Sequence, residues 1–332
     1  MVEVMVEEMG PDEVLRRLAD PFWFQALGAV LGYDWHSSGV TTVVCGALKE
    51  GLKDREAQLG IFVCGGKGGT SRKTPDEIVR HVERAGLGLD PQRLAYASRM
   101  AAKVDNTAIQ DGHTLYHHTF LFTAQGRWCV VQQGMNEQTG WARRYHWISD
   151  GVTSFVEEPH AAVLGVRQSR VTLNMVASES RAAREACVTL AGLPPDRLLH
   201  LALPADHQIA DARRLERSLR ALYEAHPTDF EGVLATGGVG PKTLRALAMV
   251  AEVVFGARPS FRDPVRYAFA HGGKDGIPFP VDRELYDRTI ATWRRAIERA
   301  RMGRRETLDA LRRLSGICRA VDAGAELGHR GG

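Results

Sequence analysis

Two periods of apolar residues alternate along this chain, and their order predicts its layout. Spacings of three and four place a short amphipathic helix at Glu13 to Leu18. Asp20 and Pro21 then read as cap and first turn for PFWFQALGAVLG, whose Phe22, Trp23, Phe24, Leu27 and Val30 are core candidates. After the polar stretch Asp34, His36, Ser37, Ser38 comes an apolar β-branched run and a helix-like ALKEGL. Residues Gly60 to Val63 suit a short strand.

GGKGGTSRK reads as a flexible cationic loop that ends in the helix start Thr74-Pro75-Asp76-Glu77. A helix through Leu94, Tyr96, Ala97, Met100 and Ala101 follows. The period then changes to two: LYHHTFLFT and WCVVQQGM form strands joined by an AQGR turn. WARRYHW adds an aromatic and cationic run. The stretch from Ser154 to about Asp211 carries the weakest signals, and its prolines place a boundary near residue 205. The expected organisation is an α/β (α+β) domain over residues 1–205 followed by a mostly α-helical domain over 206–332. A long arginine-rich helix from Tyr286 to Leu314 closes the chain.

Within the second domain, Leu215, Leu219, Leu222 and Tyr223 form one apolar helical stripe, and Leu244, Leu247, Ala248 and Ala251 form another. Thr228 and Asp229 suit a cap for a further short turn between them. LATGGVGPKTLR makes the bend, with Gly238 and Gly240 suited to a close approach or a positive φ and Pro241 opening a helix. The free N–H groups at that start suit an anion, and Lys242 and Arg245 add positive charge beside them. A nucleic-acid phosphate meets these requirements, because such contacts need only donors and charge.

Charge changes this picture in one respect. The 332 residues carry a net charge of +3, with 16 Lys+Arg against 18 Asp+Glu in residues 1–150 and 27 against 22 in residues 151–332. The positive excess lies with the bend. Five cysteines without a close pair point to neither a disulfide framework nor a CxxC metal site, which suits a reducing cytoplasm. No run of eighteen apolar residues occurs, so neither a membrane span nor a membrane partner is expected.

Other chemistry-bearing residues offer alternatives. Asp105, Asp111 and His113 are candidate ligands for a divalent metal, and His117 and His118 must point to opposite faces of their strand. Lys67, Arg72 and Lys73 of the glycine-rich stretch, and Arg143 and Arg144 of WARRYHW, are candidate phosphate contacts. His36 beside Ser37 lacks a third partner for nucleophilic catalysis.

Two resemblances bear on these residues. FWFQALGAVLGYDWHSSGVTTVVCGALKEGL, GGKGGTSRKTPDEI, KVDNTAIQDGHTLYHH, QQGMNEQTGWARRYHW and SFRDPVRYAFAHGGKDGIPFPVDRE resemble an uncharacterised prokaryotic family, the domain of unknown function 763. That resemblance names no chemistry and implies a chain lacking part of the family's usual N-terminal segment. The second covers residues 234–267. Gly238, Val239, Gly240, Lys242 and Thr243 resemble the helix-hairpin-helix of DNA-binding proteins, with Leu244 in place of the usual alanine. With the following loop they look like base-excision DNA glycosylases that are also AP lyases.

The second resemblance implies Lys242 as a Schiff-base amine and Asp263 as its assisting carboxylate, although RDPV replaces the VDTH context and the spacing is long. Lys103, with Asp105 beside it, and Lys274 are further candidates for the amine chemistry. The expected function is DNA repair or processing on double-stranded or damaged DNA, by a lysine-dependent lyase or glycosylase-lyase that needs no cofactor. A nuclease using a divalent metal, and a DNA-binding protein without catalysis, are the alternatives.

Overall fold

A computed structural model of the chain describes residues 1–33, 39–167, 172–202, 212–266, 283–300, 303 and 305–315. Its centre is an antiparallel sheet of strands β1 (Ile61–Lys67), β3 (Thr114–Thr123), β4 (Trp128–Met135), β5 (Ala142–Ile148) and β6 (Ala162–Leu164), paired in the order β1-β3-β4-β5-β6. Strands β2 (Ile109–Gln110) and β7 (Leu173–Asn174) make a separate two-stranded pair. The AQGR turn joins β3 to β4 as its composition predicts.

Helices cover both faces of the sheet. Six lie early in the chain: α1 (Val2–Met9), α2 (Pro11–Ala19), α3 (Pro21–Val30), α4 (Gly39–Leu52), α5 (Glu56–Leu59) and α6 (Thr74–Arg84). Next come α7 (Pro91–Lys103), α8 (Arg181–Ala191), α9 (Pro195–Ala202) and α10 (Ala212–Ala225). Then follow α11 (Phe230–Ala235), α12 (Pro241–Phe255) and α13 (Arg283–Arg299).

Asp20 caps α3 by accepting from the Phe22 and Trp23 N–H groups, with Pro21 in the first turn. TTVVCGALKEGL is one helix, not a β-branched run followed by a helix. Val40, Val44, Leu48 and Leu52 recur every fourth residue and bury one stripe, so packing overrides the β-branched preference. The long helix expected over Tyr286 to Leu314 ends at Arg299, and residues 305–315 form a further helix.

The period-two alternation divides the core. One face of the sheet packs Val63, Leu121, Cys129 and Val131 against α1 to α4 and Trp293 of α13. The other packs Phe62, Phe120, Phe122, Val130 and Trp147 against α6 and α7. That second cluster continues through Leu190 of α8 and Leu222 of α10 to Leu244 and Leu247 of α12. One apolar cluster therefore crosses the expected boundary at residue 205. Among the described residues no helix is long and apolar enough to cross a membrane.

Gly65 is the glycine on which the sheet edge depends. Its φ is +91°, and a Cβ there would collide with the His118 carbonyl and the Thr74 hydroxyl. Its N–H donates to Glu77 at 2.7 Å and its carbonyl accepts from Lys49 at 2.8 Å. GGKGGTSRK is thereby ordered: Lys67 ends β1, and Gly68–Lys73 forms a 3₁₀ turn leading into α6.

Candidate functional site

The hairpin register brings the two His-His and Gln-Gln doublets together. His118 stands opposite Gln132, and His117 opposite Gln133. Because successive side chains alternate, one His-Gln pair lies on each face of the sheet. His118 Nδ1 is 2.7 Å from Gln132 Oε1, and His118 Nε2 is 2.8 Å from Ser98 Oγ on α7.

The protonation pattern of this chain is forced from its far end. Gln132 Nε2 donates to the Ala101 carbonyl at 3.0 Å and to the Asp105 carboxylate, neither of which can donate in return. The Gln132 carbonyl must therefore face His118, which makes Nδ1 the donor and leaves the lone pair on Nε2. Ser98 then donates its hydroxyl proton to Nε2. Burial lowers the His118 pKa against the opposing pull of Gln132 and the Asp105 carboxylate, so the ring is neutral at pH 7.

Asp105 is positioned by a π-helical turn, Val104–Ala108, that follows α7. Its carboxylate also accepts from Trp147 Nε1 at 2.9 Å and contacts His160 Nε2. Buried polar groups on this scale are stable only when each finds a partner, and here each carboxylate oxygen has one.

A cavity of about 770 Å³ opens over this chain at the end of the sheet. Ser98 and His118 line it, with His117, Arg72 of the 3₁₀ turn, Arg99 and Lys103 of α7, and Leu234 and Ala235 of α11. Among the described residues no aspartate or glutamate lines it. The Lys103 ammonium donates to the Val239 carbonyl in the turn between α11 and α12. Burial lowers the Lys103 pKa. The glycine-rich cationic stretch around Gly68 and the helical bend around Gly238, far apart in sequence, flank one pocket.

The bend itself has the capping chemistry its sequence predicts. Asp229 accepts from the Gly232 N–H at 2.7 Å and starts α11. Gly238 has φ of +84°, whereas Gly240 is extended and caps α12 ahead of Pro241. Val239 and Thr243 are buried. Lys242 is exposed and has no hydrogen-bond or ion-pair partner among the described residues. Arg245 Nε donates to Gln110 Oε1 at 2.8 Å, and Gln110 Nε2 donates to the Pro241 carbonyl at 2.8 Å, which ties α12 to β2.

Lys67 and Lys73 are exposed, with the Lys67 ammonium 6.0 Å from the centre of the Tyr116 ring. Arg143 and Arg144 are fully buried in β5 and lie away from any surface a phosphate backbone reaches. Arg143 donates to Asp111 at 2.5 Å and to Asp263 at 2.8 Å, while Arg144 turns to the other face and donates to Gln25 at 3.0 Å. Alternation of a doublet along a buried strand gives this outcome, and strand burial is what an aromatic and cationic composition conceals. Asp263 is thus held by the sheet, and its other oxygen accepts from the Val265 N–H at 2.9 Å.

Asp105, Asp111 and His113 do not converge. Asp111 accepts from Arg143 and, at 2.8 Å, from Tyr145, while Asp105 belongs to the Gln132 chain. His113 Nδ1 stands 3.2 Å from Asp111 but out of line for a hydrogen bond. Burial alone raises the Asp111 pKa, and the His113 ring with the Arg143 guanidinium overturns this and holds it low. Among the described residues no three His, Cys, Asp or Glu side chains are placed to hold a metal. Lys274, His36 and Ser37 lie outside the described residues.

Ser98, Gln132 and His160 are site residues that sequence reasoning missed. The signal for Gln132 was present: counting outward from the AQGR turn pairs position 118 with 132. Ser98 and His160 have no such signal, because only packing brings α7 and the chain after β5 to this face.

Compared with known proteins, the chain matches a family profile described as "Protein of unknown function (DUF763)" over residues 1–281. No curated protein and no solved structure matches it.

Proposed function

The chain belongs to the family of unknown function DUF763, and we propose that it binds DNA across the acid-free pocket and acts there as a lysine-dependent lyase or glycosylase-lyase on damaged DNA. We read α11, the turn over residues 236–240 and α12 as a helix-hairpin-helix. Its exposed Lys242 and the start of α12 hold a backbone phosphate, which directs the strand toward the pocket beside it.

The observation that carries the reading is Lys103. An amine attacks the C1′ of an abasic sugar only after losing its proton, and burial beside the cavity favours that loss. Lys242, exposed at the helix start, serves as the phosphate contact, so Lys103 takes the role of the Schiff-base amine. Asp263 serves the sheet rather than the amine. The route needs no cofactor.

Borohydride reduction with an abasic duplex tests this. The parent protein is expected to become covalently joined to abasic DNA and not to intact DNA, with the adduct mapping to Lys103. Lys103→Met should abolish trapping. Lys242→Ala should still trap while binding more weakly, with a salt slope smaller by about one. Trapping by Lys103→Met at the parent level overturns the assignment of the amine, and a parent that never traps overturns the lyase.

A further inference from the structure

We propose that Ser98 is an activated nucleophile for phosphoryl transfer from anionic phosphate esters, with His118 as its base and Gln132 and Asp105 as positioning residues. The inference concerns a different group from the Lys103 amine and does not depend on it.

Three observations converge. Ser98 Oγ lies 2.8 Å from His118 Nε2, and the far end of the hydrogen-bond chain fixes that nitrogen as the acceptor. This is the geometry in which an imidazole takes the proton of an attacking hydroxyl, with a further acceptor orienting the ring from Nδ1. A serine whose only task was to satisfy a buried histidine would need no cavity. Ser98 and His118 both line one.

The cavity selects the substrate. Arg72 and Arg99 share its wall with no carboxylate among the described residues. A phosphate ester supplies both the electrophilic phosphorus and oxygens for these cations, which offset the charge that builds on the transferring group. Neutral carboxylic esters lack that match.

The step balances. Ser98 Oγ attacks the phosphorus of a diester as its proton passes to His118 Nε2. The bond from phosphorus to the leaving oxygen, in line with Oγ on the opposite side, breaks, and that oxygen takes a proton from solvent while Nε2 keeps its own. Water then attacks the phosphoserine from that opposite side, losing a proton to solvent, and Ser98 Oγ recovers the proton from Nε2 on leaving. The sum is diester plus water to monoester plus alcohol. Asp105 and its partners Trp147 and His160 hold Gln132 so that its carbonyl cannot turn away from His118.

An alkyl fluorophosphonate tests the nucleophile, because attack expels fluoride and leaves a stable phosphonyl group. Peptide mapping of the intact protein after treatment is expected to find that group on Ser98. It should be absent from Ser98→Ala and at least tenfold slower to form in His118→Gln. Ser98→Cys gives a second readout: alkylation of the introduced thiol by iodoacetamide should reach its plateau well below the ordinary thiol range near pH 8.5. Bis(p-nitrophenyl) phosphate should be hydrolysed by the parent and not by Ser98→Ala, whereas p-nitrophenyl acetate should not distinguish them. No label on Ser98 in the parent, labelling of His118→Gln at the parent rate, or an ordinary thiol profile in Ser98→Cys overturns the proposal. Loss of borohydride trapping with Ser98 labelling intact touches only the amine.

Discussion

Arg143 Nη2 donates to Asp263 Oδ2 at 2.8 Å, joining the middle of the sheet to the segment that follows α12. Both side chains are almost wholly buried, 0% and 4% exposed. Breaking a buried pair strands its partner, so Asp263→Asn should cost about 3 kcal/mol, the lower end of the usual range because Arg143 keeps Asp111. Urea denaturation of the variant measures it. A variant as stable as the parent, with trapping lost, would return Asp263 to the catalytic role that the glycosylase resemblance implies.

Acid should weaken the fold before the carboxylates titrate. Burial, helped by the neighbouring His118 ring and the Lys67 ammonium, lowers the His117 pKa from 6.5 to about 4. The unfolded chain binds that proton near pH 6.5 and the folded chain refuses it until about 4. The contribution of His117 is therefore complete above pH 6.5 and is lost as the pH falls to 4, about 3 kcal/mol in all. His118 and His146 are lowered too and act in the same direction. Denaturation curves at stepped pH should show the slope, and His117→Asn should flatten part of it. A parent equally stable at both ends of the interval would refute the buried neutral histidines.

Gly65→Ala should destabilise the protein by at least about 2 kcal/mol. The backbone there is at a φ of +91° and the new methyl meets a carbonyl that has no room to move. Gly240→Ala should cost far less, since that residue is extended. Thermal melts of the two variants side by side check the contrast, and equal losses would contradict it.

The thiols report on the core. Burial pushes Cys45 and Cys187 up to about 12, and Cys64 and Cys129 higher still. Treatment of the native protein with DTNB at pH 8 should leave these four unmodified, and guanidinium should expose them all. Rapid modification of Cys45 without denaturant would mean that the helices over its sheet face open readily.

Local rules made much of the architecture legible in the sequence. Asp20-Pro21, Asp229 and Gly240-Pro241 mark helix starts through capping and the fixed φ of proline, which need no tertiary partner. The strands around AQGR follow from a period of two, and with them the opposed faces of His117 and His118. Tertiary packing decided the rest. It made one helix of Gly39–Leu52 because burial of a stripe outweighs β-branched preference, and it turned Arg143 and Arg144 inward because β5 lies inside the sheet. The site belongs to that second class. Ser98, His118 and Asp105 come from a helix, a strand and a π-helical turn, and Lys103 meets Val239 across 136 positions of chain. Periodicity fixes which face a side chain takes within its own element, whereas contacts between elements depend on how those faces are stacked, and only the folded core sets that.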